Sequence, residues 1–142
     1  YIVKNVSVSE GNYGIASWAN TGESVVTIIG ATIRGTQISP VLFLSNSVAT
    51  ISDSTIDNNY AGIGVSNGAT AVVERCKITN NGGDGVSVDG AGVVRVSDSL
   101  ITKNSGYGIK NSGGTARTFS NNRITNNTLG NLYGSVLSVS LL

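Results

Sequence analysis

The chain has 142 residues, a formal net charge of +1, no histidine, one cysteine, one proline, 19 glycines and only 12% charged residues. No Lys/Arg cluster is present to follow a phosphate backbone, so no nucleic-acid partner is expected. The 39% hydrophobic content is too high for a disordered segment, no apolar run reaches membrane-span length, and the length fits a single domain, residues 1–142.

The opening stretch, Tyr1-Ile2-Val3-Lys4-Asn5-Val6, is already apolar at alternate positions, as a strand requires. The first unit places apolar side chains at Val3, Val8 and Ile15. A three-residue insertion follows in the stretch Trp18–Ser24, and Trp18 is the only tryptophan. The second unit repeats the pattern at Ile28, Ile33, Val41 and Phe43, and the third at Ile51, Ile56, Ile63 and Val65. The fourth has Val73, Ile78, Val86 and Val88, and the fifth Val96, Ile101 and Ile109. The sixth has Phe119, Ile124 and Leu132. The central isoleucines are 22 or 23 positions apart.

A period in the twenties marks a solenoid. Short alternating segments between Gly/Asn/Ser turns predict strands, and no window has helical spacing with caps. Identical columns in successive units predict parallel, in-register stacking. The spacing gives a rod of about six coils and roughly 30 Å. The expected fold is all-β, a parallel β-helix of about six coils of 22–23 residues.

Polar columns fit the same plan. Asn59, Asn81, Asn104 and Asn127 lie three positions after the isoleucines. They are read as a ladder of stacked amides and as the residues that take left-handed backbone at the bend. Asp53, Arg75 and Asp98 alternate in sign on successive coils, the pairing that neighbouring strands favour. Cys76 shares a column with Ala31, Ser54 and Ser99. It is expected to be a small buried residue rather than a nucleophile, since no histidine exists to activate it. Thr79, Thr102 and Thr125 also stack, but Arg34 and Asp57 in that column spoil a flat ice-binding array.

The units STIDNNYAGIGVSNG, CKITNNGGDGVSVDG and SLITKNSGYGIKNSG resemble right-handed parallel β-helix repeats of the pectate-lyase-like kind. The resemblance covers nearly the whole chain. It implies export to the medium or the cell surface, and it implies no single activity, because that superfold carries lyases, hydrolases, epimerases, adhesins and tailspikes. A removed leader or an excised segment would each account for a start at Tyr1.

The enzymes of this fold act on acidic polysaccharides along one outer sheet. That chemistry needs converging carboxylates, or acidic calcium ligands beside a base. The outward positions expected on that sheet are Ala16 and Trp18, Leu42 and Leu44, Gly64 and Ser66, Ser87 and Asp89, Lys110 and Ser112, Tyr133 and Ser135. No acid pair recurs on neighbouring coils, and neither a metal nor a cofactor is expected. The best catalytic candidates are Asp84, Asp89 and Lys110, with Tyr107 beside them as a ligand platform. Asp89 and Lys110 read as near neighbours, either a surface ion pair or a carboxylate and amine flanking a sugar.

Trp18, Leu42 and Leu44 form an exposed apolar group, which suits an interface with another copy, a dock for the insertion loop or a sugar platform. The tail, 128–142, is apolar and lacks charge, as a last coil or a cap. Leu142 falls five positions before the next expected isoleucine column, as Val3 does before Val8, so the chain reads as a near-whole number of coils. Leu141 and Leu142 then belong to an end-to-end or adjoining-domain interface. The expected function is a non-catalytic structural, adhesive or assembly-forming module. The alternative is a polysaccharide-active lyase or hydrolase, or a fragment of one, with polysaccharide as its partner.

Overall fold

A computed structural model describes residues 1–141. The backbone winds into about six coils, all strand and turn, with three parallel faces. The first face stacks Ile2–Lys4, Ser24–Ile29, Ser47–Ser52, Thr70–Glu74, Val93–Ser97, Thr115–Phe119 and Val136–Val139. In the first two coils the second and third faces are single long strands, Ser7–Ser17 and Thr32–Phe43. From there the sheet divides. The second face continues through Thr55–Asp57, Lys77–Thr79, Leu100–Thr102 and Arg123–Thr125. The third continues through Ile63–Val65, Val86–Asp89, Tyr107–Ser112 and Gly130–Tyr133.

Register follows the columns. Val8, Ile33, Ile56, Ile78, Ile101 and Ile124 are successive Cα partners. So are Ile15, Val41, Ile63, Val86, Ile109 and Leu132. The inward side chains of the middle coils are fully buried, and each isoleucine removed from water contributes roughly 1.5–3 kcal/mol. Phe43 and Ser47 are four positions apart but their partners Ser17 and Ser24 are seven apart, which locates the three extra residues after Trp18. A further bulge shifts the register between Gly11 and Tyr13.

Two expectations are corrected. The left-handed residue at the bend is not the stacked asparagine but the one before it: Asn58 (φ 58°), Asn80 (φ 54°), Lys103 (φ 57°) and Asn126 (φ 54°). The left-handed step turns the chain through the corner, and the following asparagine is buried. There Asn59 Nδ2 donates to Asn81 Oδ1 at 3.1 Å, Asn81 Nδ2 to Asn104 Oδ1 at 2.9 Å, and Asn104 Nδ2 to Asn127 Oδ1 at 2.9 Å. Each Oδ1 also accepts the backbone N–H of the preceding asparagine at 3.1 Å.

The second correction concerns the last coils. Val96 is partnered by Thr118, not Phe119. Thr118 and Ala116 point in, and Phe119 is half-buried at the rim. The Thr118 hydroxyl accepts Asn122 Nδ2 at 2.9 Å, which satisfies a polar group in an inward column. The next partner of Thr118 is Ser138, so the tail reaches that row four residues earlier than a Leu142 placement requires. Gly130–Tyr133 and Val136–Val139 stack as coil strands. Leu142 itself lies outside the described residues.

Candidate functional site

The third face is the surface that carries the sequence-derived candidates. Parallel register aligns Ala16, Leu42, Gly64, Ser87, Lys110 and Tyr133 in one row along the rod. Their neighbours Ile15, Val41, Ile63, Val86 and Ile109 point inward, so the row faces out. One row further come Trp18, Leu44, Ser66, Asp89 and Ser112. Ser66, expected to face out, is buried instead.

The row changes character along its length. In the first two coils Tyr13, Gly14, Ala16, Trp18, Leu42 and Leu44 line an open depression of about 580 Å³. Trp18 is 58% exposed. The backbone on either side of Trp18 still pairs with the next coil, Leu44 N–H donating to the Ser17 carbonyl and Ala19 N–H to the Ser45 carbonyl, so the indole faces out by alternation from the buried Ser17. Tyr13 also lines the depression, and the sequence reading missed it. It sits beside a register shift, where alternation no longer reports which side faces out.

In the fourth to sixth coils the same face is polar and aromatic. Asp84 precedes its strand. Its Oδ1 accepts the Tyr107 N–H at 2.8 Å, and its Oδ2 lies 3.5 Å from Lys110 Nζ. The Tyr107 ring stacks on Tyr133, with centroids 4.8 Å apart and planes tilted by 38°. This pairing corrects the Asp89–Lys110 assignment. Lys110 is in register with Ser87, and Asp89 with Ser112. The amine turns toward Asp84 because that carboxylate is anchored by the N–H of Tyr107, on the same strand as Lys110. Asp89 is exposed and closes the next turn through a bridge with Gly113.

Asp84 and Asp89 are five residues apart with the bend at Gly85 between them, and Asp89 is exposed. Among the described residues, no three of His, Cys, Asp or Glu converge as ligands for a cation. Cys76 is buried where Ser54 and Ser99 sit in adjoining coils, and burial pushes its thiol up to about 11. A thiol held protonated in this way is a poor nucleophile.

The two ends of the stack carry shallow depressions, the last one lined also by Thr118, Ser120, Asn122, Asn131 and Ser138. Tyr1, Val3, Ile15, Ala16 and Val26 contribute to a depression of about 270 Å³ at the first coil, and Phe119, Ile124 and Leu132 to one of about 320 Å³ at the last. Leu141 is 55% exposed. Its backbone N–H donates to Ser120 Oγ at 3.2 Å.

Among known families, the model of a right-handed β-helix region matches residues 13–140. No curated protein and no solved structure matches the chain. Among the described residues no helix is long and apolar enough to cross a membrane.

Proposed function

Because the chain belongs to the right-handed β-helix family, a fold that by itself fixes no activity, we propose that it is a non-catalytic module that works by contact: a structural, adhesive or assembly-forming rod. One observation carries this reading. Asp84 and Lys110 of the third face are committed to each other, while the depression at its first two coils is apolar and aromatic. Asp84 is engaged by the Tyr107 N–H and by Lys110. Trp18, Leu42 and Leu44 share one concave patch, the residue types that anchor interfaces. The partly buried apolar side chains at both ends, Val3, Val8 and Ile15 at one and Ile124 and Val136 at the other, support association of further β-structure at the ends, from a second copy or an adjoining domain. A module of this kind acts outside the cell or at its surface.

Sedimentation velocity over a wide concentration range tests self-association. The expected result is a concentration-dependent oligomer, weakened by Trp18→Ala or Leu141→Ser. A monomer at every concentration sinks the self-assembly reading.

A second reading has its own observation. The Tyr107–Tyr133 stack beside the Asp84–Lys110 pair offers an aromatic platform next to a charge pair, as a polysaccharide lyase or hydrolase would. Depolymerisation of an acidic polysaccharide, abolished by Asp84→Asn or Asp89→Ala, would replace the first reading with this one.

A further inference from the structure

The first face contains one electrostatic anomaly. Parallel register sets Arg95 directly against Arg117 on the next coil, one strand spacing or about 4.8 Å away. Both are exposed, and the flanking Val94, Val96, Ala116 and Thr118 are buried, so both guanidinium groups project from the same flat surface. Like charges directly opposite across strands repel.

Elsewhere the rod compensates its stacked charges. Arg75 Nε lies 2.8 Å from Asp53, Arg34 3.7 Å from Asp57, and Lys110 3.5 Å from Asp84. Among the described residues, neither Arg95 nor Arg117 has an ion-pair or side-chain hydrogen-bond partner. The row continues with Val72 on one side and Leu137 on the other. The nearest carboxylate on the face is Glu74, diagonal to Arg95 in the register, and it is turned to Arg75 at 3.1 Å.

We propose that Arg95 and Arg117 form an anion clamp that takes one tetrahedral oxyanion group, a sulfate or a phosphate monoester. Two planar guanidinium groups at this spacing present parallel N–H donors that match the oxygens of such a group. The anion, singly charged as a sulfate ester and doubly charged as a phosphate monoester, offsets the repulsion between the arginines with two charge-assisted contacts. A single pair offers no track for a polyanionic backbone, so one group is bound per clamp. The site lies on a different face from the third-face contacts and does not depend on them.

The test is a titration of ¹⁵N-labelled protein at constant ionic strength, with sodium chloride as the balancing salt. Three probes are used: inorganic phosphate, inorganic sulfate and a monosulfated disaccharide. The expected result is saturable shifts confined to Val93–Ser97 and Thr115–Phe119, half-complete on the order of millimolar. Arg95→Gln and Arg117→Gln should each weaken the response at least tenfold. Response to the inorganic ions assigns a free anion. Response to the disaccharide alone assigns an ester carried on a glycan.

A second measurement separates binding from folding. In phosphate-free buffer of low ionic strength, each glutamine variant should melt at or above the temperature of the parent, because the repulsion is gone. Non-saturable shifts, shifts that persist in the Arg95→Gln/Arg117→Gln double variant, or a lower melting temperature of the single variants would overturn the clamp.

Discussion

Gly85 is packed on three sides by different parts of the fold. A Cβ there would sit 2.5 Å from Ile101 Cγ2, 2.7 Å from the Gly108 carbonyl oxygen and 2.9 Å from Asn104 Nδ2. Gly108 repeats the arrangement one coil on, against Ile124, Asn131 and Asn127. Gly85 and Gly108 therefore let the corners of these two coils close onto both the isoleucine column and the stacked amides. Gly85→Ala should destabilise the fold by about 1–3 kcal/mol through overpacking, read as a lower urea midpoint at unchanged slope. Their place just before Val86 and Ile109 is visible in the sequence, but not their reason. That reason is a contact across coils, and spacing along one coil does not report it. The same limit hid the partner of Lys110. Asp84 lies outside the alternating segment, so its column gave no sign that its carboxylate is fixed by the Tyr107 N–H.

At the level of strands and corners, the column of isoleucines was legible because each coil offers the same side chain to the same neighbour. The rim position of Phe119 was not. An extra residue lies between Thr118 and Asn122 relative to Val96 and Ser99, and an apolar count favours phenylalanine inside. The hydrogen bond from Asn122 to the Thr118 hydroxyl makes the alternative acceptable. Corners can be tested through their polar groups. Asn81 Oδ1 accepts the Asn59 N–H at 3.1 Å, and its Nδ2 donates to the Ile56 carbonyl at 3.2 Å, all buried. Asn81→Ala strands both groups, at about 1–3 kcal/mol for each, so denaturant unfolding should show a loss of roughly 3 kcal/mol. Acid acts on the charged corners instead. Asn80 Nδ2 and Thr79 Oγ1 hydrogen-bond to Asp57 at 2.8 and 2.9 Å and, with Arg34 and Lys77 nearby, hold its carboxyl below the ordinary 3.8. Asp53 is lowered in the same direction by Arg75. A folded-state value below the unfolded one gives stability that is present above about pH 4 and lost as pH falls through the folded value. The urea midpoint should therefore drop on acidification below pH 4, and Asp57→Asn should flatten that dependence.

Across the whole rod, each coil touches only its neighbours, so stability is a sum of coil and interface contributions rather than the property of one central core. The middle coils bury their inward side chains completely, from Ile28 to Ile109. At the two ends Val3, Val8, Ile15, Ile124 and Val136 are only partly buried against that core, and each end coil has a coil interface on one side alone. Local opening should begin where burial and pairing are least. Native-state hydrogen exchange of this chain should then show a gradient. The N–H groups of Ile56, Ile78 and Ile101 should exchange slowest, with free energies approaching that of global unfolding. Those of Val3 and Val136 should exchange fastest among the paired positions. The gradient also links stability to the assembly reading. If a second copy or adjoining domain covers an end, protection there should rise with protein concentration or on addition of that domain, while the Ile78 amide stays unchanged. Uniform protection from Val3 to Val136 at high dilution would mean that the rod unfolds as one unit. Coil-by-coil additivity would then be the wrong description of its stability.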